Sequence, residues 1–337
     1  MQHHSRSTRL KAVAAGASAL LALTACSSSG TGKGSDNSGG NSSAAGSSPA
    51  AAASSSAAAF PVTIPASGGA VTIAKQPTAI VSLSPTATEM LFAIGAGSQV
   101  KAVDKNSDYP ANAPHTGLDS YQLNAESVAA YKPDLVIASG LTAAQAKQLK
   151  TLGITTLQEP AAATLDDSYR EIAEVGKATG HADAAAKVVA SMKARIAQIV
   201  KSTPKPAKPE TYYYELDQTY YSVTTATFMG QVLKLLGLTS IADAAKGASA
   251  SGGYPQLNAE FILKADPDYV FLADGKCCKQ SAATVAKRPG WTTMGAVKDG
   301  RVIPLDDDIA SRWGPRIVDL LTTVADDLKQ HPVTASS

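Results

Sequence analysis

A chain of 337 residues with 44% hydrophobic content, a formal charge of +2 and a mean hydropathy of −0.04 has the make-up of a globular protein with room for two lobes. Its 30 basic and 28 acidic side chains nearly balance, which excludes the strongly basic surface that nucleic-acid binding needs. With three cysteines and no paired Cys or His at ligand spacing, a zinc site is not expected.

The first 25 residues carry Arg6, Arg9 and Lys11, an apolar segment from Ala12 to Leu23 and small residues before Cys26. That is the layout of a secretory signal, too short to span a membrane. Its loss removes three positive charges and leaves the chain at −1. Leu23-Thr24-Ala25-Cys26 resembles the lipobox of bacterial lipoproteins, which implies a signal peptide over 1–25, a lipid on Cys26 and an extracytoplasmic protein held on the outer face of the cell membrane. From Ser27 to about Ala59 the sequence is almost wholly Ser, Gly, Ala and Asn, too poor in apolar bulk to offset the entropy of ordering. We assign 26–68 to the lipidated cysteine and a flexible linker with a reach on the order of 30 Å.

The N-terminal lobe is placed at 69–165. Ala79-Ile80-Val81-Ser82-Leu83 predicts a buried strand, and Ser84-Pro85 a helix start, with Ser at the cap and Pro in the first turn. The helix should bury Ala87, Met90, Leu91 and Ile94 and stop at Gly95. Because ligands of open α/β sheets collect at the carboxyl ends of strands, Ser84 and Pro85 are candidates for a cleft wall. A short strand after Lys101 leads into the turn Ser107-Asp108-Tyr109-Pro110, whose tyrosine should be exposed.

Next comes a segment that occurs twice. Leu123-Asn124-Ala125-Glu126, Pro133-Asp134 and an apolar run recur 134 residues later as Leu257-Asn258-Ala259-Glu260, Pro267-Asp268 and a second apolar run, with identity at 7 of 16 positions. Asn124 and Asn258 are suited to cap helices, and Glu126 and Glu260 then fall in the first turn, where the helix dipole favours negative charge. Proline ends each helix, and the apolar runs beyond are core strands. A period this long means two related lobes, not a solenoid.

A helix from about Thr142 to Leu152 and a strand at Ile154–Leu157 complete the first lobe, whose alternating strands and helices imply a largely parallel sheet covered on both faces. Residues 166–207 are predicted as connecting helices, the second running over 182–202 for roughly 30 Å. The C-terminal lobe, 208–331, opens with a strand from Thr211 to Leu216 and a loop bearing Tyr220, and a tail covers 332–337. Tyr254 precedes the second repeat, and the last strand, Gly300–Leu305, runs into Asp306-Asp307-Asp308 and Arg312-Trp313 before an amphipathic helix from about Pro315 to Leu328. Cys277 and Cys278 are adjacent, with Cα atoms about 3.8 Å apart. A vicinal disulfide, two free thiols or a partner outside the chain are the open alternatives.

From about Val71 onward the chain resembles the cluster III substrate-binding proteins of ABC importers. The resemblance rests on the run Ile80 to Glu89, the Ser107–Pro110 turn, both repeats, Arg288-Pro289-Gly290-Trp291 and the stretch Asp308 to Arg316. It implies an α/β fold of two lobes, each with a mostly parallel sheet flanked by helices, joined by a single long helix, with the ligand cleft between lobes. It also implies capture of a metal chelate, an iron-siderophore or cobalamin, for delivery to an ABC permease dimer and its ATPase by a monomeric, membrane-anchored protein that needs no cofactor. A haem-binding importer component, or a sensor or adhesion lipoprotein on the same fold, is the alternative. Glu126 and Glu260 match the family's permease-docking glutamates, and Asp308 and Arg312 the Asp and Arg of its cobalamin binders. Tyr109, Tyr121, Tyr220, Tyr254 and Trp313 are aromatic candidates for the cleft. The family's cobalamin-type Trp after the first Pro-Asp strand is Ser139 here.

A catalytic reading lacks its parts. The sequence contains no His-Glu-x-x-His, no Gly-x-Ser-x-Gly and no phosphate-binding glycine loop. Beyond the leader only His115, His181 and His331 remain, each without an acid-base partner nearby, and all three are expected at the surface.

Overall fold

The computed structural model describes residues 60–206 and 208–333; the expected signal peptide, Cys26 and the linker up to residue 59 lie outside the described residues. The first elements, β1 (Val62–Ile64) and β2 (Val71–Ile73), pair antiparallel. Residues 60–68, which the domain boundaries leave in the linker, therefore include a strand. Val-Thr-Ile occurs in both strands, so each turns its isoleucine inward, and Ile64 and Ile73 are buried. The turn between them uses Gly68 and Gly69, both at positive φ that a side chain would oppose.

The N-terminal sheet follows: β3 (Ile80–Leu83), α1 (Pro85–Ala93), β4 (Val100–Asp104), β5 (His115–Leu118), α2 (Ala125–Ala129), β6 (Leu135–Ser139), α3 (Ala143–Thr151) and β7 (Thr156–Glu159). Its order is β5-β4-β3-β6-β7, parallel throughout. From β3 the chain winds outward through β4 and β5, then returns to lay β6 on the other side of β3. The direction of winding thus reverses between β3 and β6, and the connections that leave their paired carboxyl ends for opposite sides bound a crevice there.

The chain then forms α4 (Leu165–Thr179) and α5 (Ala182–Ser202) before entering the second sheet. These helices meet so closely that a Cβ on Gly176 would lie 2.4 Å from that of Ala185. Helix α5 also packs against the last helix, and one apolar cluster runs without a break from Met90 and Leu91 through Ile172 and Met192 to Tyr212, Tyr214 and Leu321. A core shared this way resists large rigid-body opening.

The second sheet contains β8 (Glu210–Glu215), α6 (Phe228–Lys234), β9 (Leu238–Ser240), α7 (Ala259–Ala265), β10 (Tyr269–Leu272), α8 (Gly275–Cys278), α9 (Ala282–Val285), α10 (Gly295–Lys298) and β11 (Val302–Pro304), followed by α11 (Asp307–Ala310) and α12 (Ile317–Gln330). Its order is β11-β10-β8-β9, again parallel, so the winding reverses between β8 and β10. Strand alternation sends Tyr212 and Tyr214 into the shared core and Tyr213 to a second cluster with Trp291.

The repeat is deeper than its sequence identity. Asn124 caps α2 and Asn258 caps α7 through their side-chain oxygens. Lys132 and Asp266, at the same point of each copy, both adopt left-handed φ, 49° and 42°, which breaks the helix ahead of the proline. The aspartates do equivalent work as well. Asp134 accepts from the backbone N–H of Thr78 and Ala79, and Asp268 from that of Thr211, so each ties the start of its strand to the neighbouring one.

Candidate functional site

The crevice between β3 and β6 opens into a cavity of about 760 Å³ lined by Ser84, Pro85, Ser139 and Gly140 from the strand ends and by Asp308, Ser311, Arg312 and Trp313 from beyond β11. It lies where the topology requires. Ser84 Oγ accepts the Ala87 N–H at 3.3 Å and caps α1, so the same residue that starts the helix forms part of the wall.

Charges in the cavity are matched within the protein. Arg312 reaches from the α11–α12 turn to α1, where its Nη1 donates to Glu89 Oε1 at 2.8 Å. Its Nη2 donates to Asp108 and the Asn106 carbonyl at 3.0 Å and to Asp308 at 3.1 Å. Arg316 donates to the same Glu89 oxygen at 2.5 Å and lies 4.1 Å from the Tyr109 ring centroid. Lys276 pairs with Asp308, and Lys105 with Asp119 at 2.7 Å. Burial opposes ionisation of Asp108, yet Arg312 beside it holds its carboxyl below the usual range. Sequence reasoning missed Glu89, Asp108 and Lys276. The available signal for Glu89 was that it is the one charged residue of a nine-residue helix and must find a cation when buried.

The loops that wall the cavity are fixed by hydroxyl groups. Asp104, fully buried at the end of β4, accepts from Ser107 Oγ at 2.5 Å and Ser120 Oγ at 2.8 Å, while Thr88 donates within the same web. The α3 capping box, Thr142 with Gln145, leaves the Gln145 amide donating to the carbonyls of Ser120 and Tyr121. Tyr121 is 82% exposed at the mouth.

Of the expected ligand contacts, Ser84, Pro85, Tyr121, Asp308, Arg312 and Trp313 are thus brought together, and three others are not. Tyr109 lies under Arg316, and Tyr254 stands 44% exposed outside the lining. Tyr220 stacks on Trp291 with centroids 5.9 Å apart. Trp313 is turned partly inward: its indole N–H donates to Glu171 at 2.8 Å and its carbonyl accepts from Ser168 at 2.5 Å, which clamps the turn to α4. Around this clamp sits a buried acidic group. Burial and repulsion from Glu174 and Glu171 push Glu159 up to about 8, and burial pushes Glu171 up to about 7. Glu126 and Glu260 are exposed in the first turns of α2 and α7. Cys277 and Cys278 are paired with each other at the end of α8, and among the described residues no cluster of His, Cys, Asp or Glu is arranged to hold a metal ion.

The corresponding crevice of the second lobe, between β8 and β10, is filled. Arg288 donates to both oxygens of the fully buried Glu215, at 2.6 and 2.5 Å, and its guanidinium lies 4.5 Å from the Trp291 ring centroid and 5.6 Å from that of Tyr220. Asp274, just past β10, is also buried and is pushed up to about 7 by desolvation and by Glu215.

Comparison with known proteins agrees with this architecture. Residues 80–309 match the family model described as periplasmic binding protein. An uncharacterized ABC transporter substrate-binding lipoprotein of Bacillus subtilis is 34% identical over 279 residues, covering 80% of this chain and 86% of the relative. A cobalamin-binding protein of Halobacterium salinarum is 30% identical over 277 residues, covering 79% of this chain and 74% of its own. Among solved structures, a possible iron-binding periplasmic solute-binding protein of Staphylococcus epidermidis superposes with a TM-score of 0.64 at 28% identity, over 75% of this chain and 99% of the other. Two related parallel-sheet lobes, a cavity at the strand ends and these matches have one conclusion in common: the chain belongs to the periplasmic binding protein family.

Proposed function

We propose that this protein is the extracytoplasmic substrate-binding lipoprotein of an ABC importer, anchored through Cys26, which captures a metal chelate of the cobalamin type and hands it to a permease. The observation that carries the reading is the charge state of the cavity. Each cation on its wall, Lys105 and Arg312, is paired with a carboxylate, and Arg288 and Arg316 are paired as well. Asp108 and Asp308 on the wall are held by Arg312, and the rest of the polar lining is hydroxyl and amide, with Ser84, Thr86, Asn106, Ser120, Thr142 and Gln145 among it. Such a surface suits a neutral ligand with peripheral amides. A polyanionic catecholate iron complex would have to take an arginine from its carboxylate, at the cost of leaving a buried charge unpaired. Similarity to a cobalamin-binding relative supports the same choice.

Mature protein passed through gel filtration with cyanocobalamin, a ferric trihydroxamate or haem tests this. Cyanocobalamin is expected to co-elute with the protein; retention of haem or the iron complex alone, or of none, would contradict the proposal. Delivery is assigned to Glu126 and Glu260, two exposed carboxylates on equivalent turns of the two lobes that suit a dimeric permease. Reversing both to Arg is expected to abolish uptake in cells and leave affinity unchanged. An equal loss of affinity would assign these residues to the cleft or the fold.

A further inference from the structure

We infer that Cys277 and Cys278 form a thiol-exchange site whose oxidation state sets the ion network of the cleft. Helix α8 has four residues, too few to be stable alone, and it ends at Lys279 in a left-handed conformation with φ 58°. Two things hold it. The Lys276 and Cys277 N–H groups donate to Asp307 at 2.8 and 3.1 Å, and the disulfide closes a small ring around the Cys277–Cys278 peptide bond. From this helix Lys276 reaches Asp308 and, at 3.5 Å, Asp306; Asp308 accepts from Arg312, and Arg312 holds Glu89 and Asp108 of the other lobe. One covalent bond at the helix end is therefore linked through a continuous chain of charges to the cavity wall.

Cys277 is exposed and Cys278 partly so, which opens the bond to a small dithiol. A dithiol thiolate attacks Cys277 Sγ, forms a mixed disulfide and expels the Cys278 thiolate. The second thiol of the reagent then displaces Cys277 and closes its own disulfide. The protein gains two electrons and two protons, and the dithiol loses them. With the ring open the backbone torsions on either side of the Cys277–Cys278 peptide bond are freed, α8 loses its covalent restraint, and Lys276 leaves its carboxylates for part of the time. The inference does not depend on which chelate the cleft takes.

The test is acylation of lysine amines on the mature protein, read by peptide mass spectrometry, with the exposed Lys147 of the other lobe as internal reference. The hydrogen bond to Asp308 raises the proton affinity of the Lys276 amine and so slows its acylation. Reduction with dithiothreitol, or Cys277→Ser with Cys278→Ser, is expected to raise the Lys276 to Lys147 labelling ratio several-fold. In Asp306→Asn with Asp308→Asn, which removes both carboxylates from Lys276, the amine should label fast in both states, with no further response to the reductant. An unchanged ratio in protein shown by mass to be fully reduced would overturn the inference, and so would a redox response that persists in the double Asn variant. Because labelling needs no ligand, failure of cyanocobalamin to bind would count against the proposed function and not against this device.

Discussion

The two lobes share a repeat, a winding pattern and a carboxylate tie at the strand start, yet their crevices differ. In the first lobe the ends of β3 and β6, Leu83-Ser84 and Ser139-Gly140, line an open cavity rich in hydroxyl groups. In the second, Glu215, Asp274 and Arg288 fill the equivalent place and Trp291 with Tyr220 covers the guanidinium. Parallel-sheet topology supplies a crevice in both, and side chains decide which one stays open. The closed one has a structural role: its arginine neutralises a carboxylate that has no access to water. The open one keeps its charges paired at the wall and leaves the interior free.

Breaking the filled crevice should have the largest effect. Arg288→Met leaves Glu215 buried without a cation and is expected to cost about 3–5 kcal/mol in urea unfolding. An effect below about 1 kcal/mol would mean the pair is solvated and the lobes less different than they look. In the open crevice Arg312→Met is the matching change. Arg316 still holds Glu89, so a smaller loss of about 1–3 kcal/mol is expected, with weaker cyanocobalamin binding in equilibrium dialysis.

A pH series probes the junction between β7 of the first lobe and α4. Glu159 and Glu171 hold protons in the folded state up to about 8 and about 7, whereas an unfolded glutamate releases its proton near 4.3. Between those limits the folded protein binds up to two more protons at these sites, so stability should fall as pH rises, by at most about 2.7 kcal/mol per pH unit from about 4.5 to 7 and about 1.4 from 7 to 8, and level off above. Glu159→Gln should lower that slope in urea midpoints and abolish it between about 7 and 8. A slope unchanged by this variant would assign the pH response elsewhere. The smallest change tests the symmetry itself: Asn124→Ala and Asn258→Ala should each cost about 1 kcal/mol, because both lose the same helix cap.

Much of this was legible from local pattern. The caps at Ser84, Asn124 and Asn258, the helices over 166–179 and 182–202 and the parallel core strands follow from spacing and turn chemistry. The misses are of two kinds. Strands β1, β5 and β9 are three or four residues long, and His115-Thr116-Gly117-Leu118 at a sheet edge has too little apolar content to signal a strand. The second kind is long-range: Glu89 and Arg312 are 223 residues apart, and neither carries a local sign of the other. For the same reason Tyr220 looked like a cleft aromatic in sequence, whereas its stacking on Trp291 depends on the fold of the second lobe.

Hydrogen–deuterium exchange with and without cyanocobalamin tests the central claim most directly. Amides at residues 83–86, 105–108, 139–145 and 308–313, the walls of the open crevice, should gain protection, and those at 215–222 and 273–280 around the filled one should not. Protection confined to the second set, or absent from both, would contradict the assignment of the ligand site to the first lobe's crevice.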